Sequence, residues 1–376
     1  MEVASTPNNM FLCDLKDMPM KYLYTVTTIF IFILLFSGCA TQRGDFYMAC
    51  EINSVNNYEI RWESIGGSDD ENIKVFRFMY PSFNRSDFKN PDYELSIKDG
   101  RLVVQNDRKS RSYFCFEFSD GYVDVVSTRF QYFPGVKRSR DIGGYRTTTG
   151  EQVRWGMVYP TSDIKEIESL GIDRMNMLGL KTLINLDEGV KSDRYSETLP
   201  FKNYIFFKTD NPGFDHLVKK MENNKAGIDD AIHYVRTSVY NLIVNESSQI
   251  SKAIRVFSNI KNYPIAICSP ELKEKSEFVV ALLMSHLGVP KESIVECYLL
   301  NNKYRSIDSY SLYTPMLDQG GQEALTYLLS AKAATIDMMF NVINSKYGSV
   351  DKYLRDELNL TDGELSSIRD NMLYKF

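Results

Sequence analysis

Polar and apolar positions alternate with period two in six short runs of the first third of the chain. They are Asn57–Trp62, Ile73–Met79, Tyr93–Ile97, Leu102–Gln105, Tyr113–Phe118 and Tyr122–Val126. Such alternation gives a strand one buried and one outward face. Turn formers separate the runs, among them Gly66-Gly67-Ser68-Asp69, Lys98-Asp99-Gly100 and Ser119-Asp120-Gly121. This spacing predicts a small all-β sandwich of immunoglobulin or fibronectin type over residues 40–132. From 133 onward the pattern changes. Val153–Val158, Lys181–Leu186, Asn203–Lys208 and Pro264–Ile267 read as strands. Ile164–Leu170 with a Gly171 cap, much of 215–260, and Phe278–Leu287 read as helices. Strands alternating with helices predict an α/β domain, a parallel or mixed sheet wrapped by helices, over 133–376.

A third pattern precedes both. Lys21 is followed by an apolar run to Phe36 and then by Ser37-Gly38-Cys39, the parts of a secretion signal. Phe36–Cys39 resembles a bacterial lipobox. The resemblance implies that Cys39 is diacylated, becomes the mature N-terminus and anchors the protein to a membrane. That is a cell-envelope lipoprotein, at the outer membrane or on its periplasmic or surface face. An uncleaved anchor is the alternative, because the apolar stretch extends back through Tyr22. Glu2, Asp14 and Asp17 stand ahead of the signal, so a start at Met18 or Met20 is expected rather than Met1. Residues 1–39 are read as an upstream extension plus signal. Outside the cytoplasm Cys50 and Cys115, on predicted strands, are compatible with a disulfide across the sandwich. They are equally compatible with two separate buried thiols.

Composition narrows the function classes. A chain of 376 residues is ample for two cores, and a net charge of −5 argues against a nucleic-acid footprint. The three histidines are scattered and no Cys-x-x-Cys pair occurs, so neither a metal nor a cofactor is expected.

The chemistry centres on Tyr263–Phe278. A buried strand, a short loop and a helix N-terminus in succession form an anion-binding arrangement. The segment Cys268-Ser-Pro-Glu-Leu-Lys-Glu-Lys-Ser-Glu277, with Gly288–Asn302 after it, resembles the loop region of the bacterial tyrosine-protein phosphatase family of dual or triple specificity. That family carries His-Cys-x-x-Gly-Lys-Asp-Arg-Thr-Gly. Two further blocks support the resemblance. Arg140-Asp-Ile-Gly-Gly-Tyr145, followed by Val153-Arg-Trp-Gly-Met-Val-Tyr159, is similar to the family's Asn-Phe-Arg-Asp-Leu-Gly-Gly-Tyr and Val-Arg/Lys-Trp-Gly-x-Leu-Tyr-Arg. Ala333–Leu373 is similar to its helical tail. The resemblance implies a cysteine-phosphatase-like fold over 133–376.

Carried over position by position, the family's nucleophile falls on Ser269 and the preceding His on Cys268. Pro270 and Glu271 fill the variable positions, and the loop Gly falls on Leu272. Lys273 keeps the family residue. The Asp held to be the general acid falls on Glu274, the Arg on Lys275, the Thr on Ser276 and the last Gly on Glu277. Arg138 and Pro160 replace a family Asn and Arg. The family's Asp-Leu-Arg beside the phosphate reads Asn185-Leu186-Asp187.

A cysteine phosphatase needs a thiolate, converging backbone N–H groups and an Arg fork. A serine hydroxyl is far less ionised, and lysine offers a point charge without the fork. The expectation is therefore a catalytically silent pseudophosphatase. It would be a lipid-anchored binding or scaffold protein for a protein or small-molecule ligand. Arg140, Asp141, Asn185 and Asp187 would line the old pocket, and a cationic or neutral ligand would suit its acidic residues. One alternative is an active phosphoester hydrolase with Ser269 or Cys268 as nucleophile and Lys273 and Lys275 holding phosphate. Another is a surface adhesion or assembly lipoprotein in which the sandwich does the binding.

Overall fold

The computed structural model describes residues 41–43, 46–64, 72–107, 110–136, 138–186, 199–207, 213–269, 275–303 and 317–376. The protein is mixed α/β with a β-rich N-terminal region. There the six alternating runs form β3 (Tyr58–Ser64), β4 (Asn72–Phe78), β5 (Tyr93–Ser96), β6 (Arg101–Val104), β7 (Tyr113–Glu117) and β8 (Val123–Val126), and two strands outside those runs, β1 (Thr41–Arg43) and β2 (Phe46–Ile52), precede them. They make two antiparallel sheets, ordered β1-β2-β3-β6 and β5-β4-β7-β8. One core holds Phe46, Met48, Ile60 and Trp62 of the first sheet together with Ile73, Val75, Phe114 and Phe116 of the second. Full burial of each such side chain is worth about 1.5–3 kcal/mol.

The Cys50–Cys115 disulfide does not form; both are free, buried thiols. Cys50 joins the core shared by the sheets. Cys115 lies between two inward-facing phenylalanines, so the period of two turns it to the opposite face, beside Phe76, Val125 and Trp155. Burial pushes both thiols well above their ordinary pKa.

The second region is built on β9 (Val158–Thr161), β10 (Thr182–Asn185), β11 (Asn203–Phe206) and β12 (Ile265–Cys268). They pair in parallel in the order β11-β10-β12-β9. Strands β9, β10 and β12 are buried at every residue, as expected of a parallel sheet covered on both faces. The helices are α1 (Ser169–Met177), α2 (Phe214–Glu222), α3 (Ile228–Val244), α4 (Ser247–Val256), α5 (Lys275–Leu287), α6 (Lys291–Lys303), α7 (Gln319–Leu329), α8 (Ala333–Tyr347) and α9 (Asp362–Met372). On one face Val158, Ile184, Ile265 and Ile267 pack with residues of α3, α4, α5, α6, α8 and α9. On the other, Tyr159, Leu183, Ala266 and Cys268 pack with Met175 of α1 and with Phe133 and Ile164. Helix α5 is buried from Lys275 through Met284; its stretch Phe278–Met284 is apolar all round, as a fully buried helix is.

Two elements differ from the sequence expectation. The strand expected at Val153–Val158 starts only at Val158, because the chain turns at Gly156, whose φ is +76°. A Cβ there would lie 2.6 Å from the Tyr113 hydroxyl. The helix expected to stop at Gly171 instead begins at Ser169 and runs through it. Gly171 is there for close approach: a Cβ would lie 2.6 Å from the Pro134 carbonyl oxygen.

The regions are joined by aromatic rings as well as by the chain. Phe83 stacks on Phe78 at 4.3 Å and on Tyr374 at 5.5 Å, and Tyr374 stacks on Phe376 at 5.1 Å. Among the described residues no helix is long and apolar enough to cross a membrane.

Candidate functional site

The C-terminal edge of a parallel sheet is where such folds bind ligands. Here it is formed by Thr161, Cys268 and Asn185, which stand in register at the ends of β9, β12 and β10. Asn185 thus stands at this edge. Cys268 is also there, but it packs in the core beneath α1 with Leu183 and Ala266.

Ser269 follows at once and is fully buried. Its Oγ lies 2.8 Å from Ser276 Oγ, and the Ser276 N–H donates to it at 3.3 Å. The expected frame thus brings together the nucleophile position and the hydroxyl seven residues on, across the start of α5. Among the described residues no carboxylate or imidazole hydrogen-bonds to Ser269. Lys275, at the position of the family's Arg, is buried, with its Nζ 3.9 Å from Glu246 Oε2. Both border a cavity of about 40 Å³ with otherwise mostly apolar walls, including Val239, Phe278 and Met339.

Glu277 stands where the family has glycine, and it makes the tightest contact at this edge. Arg140 donates to it twice, Nη2 to Oε2 at 2.6 Å and Nη1 to Oε1 at 3.1 Å. Arg140 Nη1 also donates to Asn301 Oδ1 at 2.6 Å. The fork-to-fork geometry is the strong form of this pair. Burial raises the Glu277 pKa, but the Arg140 charge and its hydrogen bonds override that and hold it below the ordinary carboxylate value. Burial likewise disfavours the Arg140 cation, and the Glu277 carboxylate more than restores it.

Asp141 does not join this pocket. It is fully buried and faces the β-rich region. Its Oδ1 accepts the Gly143 N–H at 2.8 Å; its Oδ2 accepts the Gly156 N–H at 2.7 Å and Arg111 Nη1 at 2.6 Å. Arg111 Nη1 also donates to the Tyr159 hydroxyl at 3.0 Å, and its Nε to Ser127 Oγ at 2.9 Å. The reason is local. Backbone direction alternates at Arg140-Asp141, and two separate turns, at Gly143 and at Gly156, present their N–H groups on the Asp141 side. Asp141 is a joint between regions rather than a ligand-facing acid.

Pro270, Glu271, Leu272, Lys273, Glu274, Asp187 and Cys39 lie outside the described residues. Sequence reasoning missed Glu246, Asn301 and Arg111. Asn301 carried a weak signal, an amide one turn after Cys297 within an otherwise apolar helix face. Glu246 and Arg111 carried none, because their partners are distant in the chain. No group of three or more His, Cys, Asp or Glu among the described residues is placed to hold a metal ion.

Two comparisons with known proteins bear on this arrangement. The family model described as "Tyrosine phosphatase family" matches residues 132–374. A protein of Cupriavidus necator that bears the name of a tyrosine-protein phosphatase is 24% identical over 238 residues, covering 62% of this chain and 85% of that protein.

Proposed function

This chain belongs to the tyrosine phosphatase family, and we propose that it is a catalytically silent member, anchored to the cell envelope by lipid on Cys39 and acting as a binding or scaffold protein. The observation that carries the reading is the buried pairing of two cations at this edge with carboxylates. Lys275 faces Glu246, and Arg140 is held by Glu277. A phosphate dianion needs unopposed positive charge and a fork of donors. Here Lys275 and Arg140 each face a carboxylate of the protein, and among the described residues the hydroxyl at the nucleophile position pairs with a second hydroxyl and with no base. Serine without a base is a weak nucleophile.

Two finer features belong to the same reading. Counting β2 as the first strand, the facing sheets run first-second-fifth and fourth-third-sixth-seventh. That order supports a sandwich of fibronectin type III. The run from Lys21 to Cys39 supports the lipid anchor.

Hydrolysis of a small aryl phosphate and of phosphotyrosine peptides by the full chain tests the central claim. Wild type is compared with Ser269→Ala, Cys268→Ser and a repaired chain carrying Ser269→Cys, Leu272→Gly, Lys275→Arg and Glu277→Gly together. Wild type is expected to be silent and the repaired chain to turn over. Turnover by wild type that either single substitution abolishes overturns the reading.

A further inference from the structure

Five of the thirteen large hydrophobic side chains exposed among the described residues gather at one place. Ile52, Phe130, Tyr132 and Met177, each 42–55% exposed, line a recess of about 580 Å³ between the β2–β3 turn and α1. Val55, at the tip of that turn, is 71% exposed. Apolar side chains grouped in this way mark a contact surface. The charged residues lining the recess are Arg111 and Arg174, with no carboxylate. Arg111 is engaged by Asp141. Arg174 lies with its guanidinium carbon 5.2 Å from the centre of the Tyr132 ring and donates to the Tyr132 carbonyl at 3.0 Å.

The direction of β1 says what covers this surface. Thr41 pairs with Met48 and Arg43 with Phe46. Followed backward from Arg43 to Thr41, the chain therefore travels along β2 toward Ile52. Thr41 stands about 13 Å short of the Ile52 level, at roughly 3.3 Å per strand residue. Cys39 is two residues earlier in the sequence, and two residues of chain span at most about 8 Å. A lipid on Cys39 brings a bilayer to this end of the β-rich region.

We propose that the rim formed by Ile52, Val55, Phe130, Tyr132 and Met177 is a membrane-contact face, seated on anionic lipid at the headgroup level. The inference rests on the Cys39 anchor proposed above. Aromatic rings with an aliphatic and sulfur-bearing rim suit the boundary between headgroups and acyl chains. Arg174, beside Tyr132, supplies the cation that meets lipid phosphate. The face fixes how the two regions stand on the membrane, with the β2–β3 turn and α1 against it.

The test uses the full chain acylated at Cys39, reconstituted into vesicles of phosphatidylethanolamine and phosphatidylglycerol with brominated acyl chains. Tryptophan is introduced as Val55→Trp or Tyr132→Trp on the proposed face, and as Tyr240→Trp on α3 as a control. The native Trp62 and Trp155 are buried and give a constant background. Bromine should remove about half of the added emission in the first two proteins and under about a tenth in the control, as for rings at the bilayer boundary. Equal quenching at all three positions on vesicle-bound protein overturns the face and leaves the anchor standing. Protein that stays in the aqueous phase overturns the anchor, and the face with it. Protection of the added tryptophans without lipid, growing with protein concentration, means that a second copy covers the surface and also overturns the proposal.

Discussion

Arg140 and Asp141 are neighbours in the chain, yet each forms a buried ion pair in a different part of the molecule. Asp141 looks toward the β-rich region and closes on Arg111; Arg140 looks toward the sheet edge and closes on Glu277. Asp141 is a residue the family pattern has, and its pair joins two regions. Glu277 stands where the family pattern has glycine, and its pair occupies the edge where ligand would bind. Similar energetics thus serve two ends. Where the motif holds the fold together, this chain keeps it. Where the motif has glycine, the same kind of bond ties Glu277 to Arg140.

The sharpest way to break the comparison is at the joint. Asp141→Ala leaves the Arg111 cation buried and frees two glycine N–H groups. It is expected to cost about 3–5 kcal/mol, read as a lower urea midpoint with probes in both regions moving together. Arg140→Met should cost somewhat less, about 3 kcal/mol, because the Asn301 side chain also stabilises the Glu277 carboxylate. The double variant Arg140→Met with Glu277→Met should recover most of that loss, since replacing both charges by apolar groups removes the desolvation cost. If the double variant is no more stable than the single one, the pair is not a separable unit and the comparison fails.

How far these arrangements were legible depends on the range of the interaction. Six strands of the β-rich region follow from local alternation, and the seven-residue step from Ser269 to Ser276 follows from the loop frame. The orientation of Cys115 was open to the same parity argument, because Phe114 and Phe116 flank it. The partners of the charged residues were not legible. Arg111 lies 30 residues from Asp141, and Glu277 lies 137 from Arg140. Only the folded chain pairs them. The start of α1 was misjudged for a related reason: Gly171 signals a helix end locally, whereas its actual role is contact with Pro134.

Titration separates the pairs further. Glu277 has its folded-state pKa depressed below its usual 4.5. A depressed carboxylate contributes stability in full above its unfolded pKa and loses it as pH falls through the folded value. Unfolding free energy should therefore decline on acidification below about 4.5, and more gently in Glu277→Gln. Equal slopes for the two proteins would show that Glu277 contributes nothing to the acid limb. The smallest effect is expected at the loop. Ser269→Ala removes one hydroxyl from a two-hydroxyl contact and should cost about 1 kcal/mol, measured by thermal or urea unfolding. A cost above that of Arg140→Met would place the main structural tie of this edge at the serines.

The rings that join Phe83 to Tyr374 also bear on how the protein is made. About 290 residues separate these two partners. The outer face of the second β-rich sheet, with Phe76, Val123 and Val125, is completed by Trp155 and Tyr374. A nascent chain therefore carries a bare aromatic surface while more than half of its length is still being added. Contacts of such long range form late, and uncovered apolar surface in the interval attracts misassociation. The β-rich region thus reaches its finished form only with the helical tail in place, and a chaperone that shields aromatic surface would act on this chain before that tail arrives.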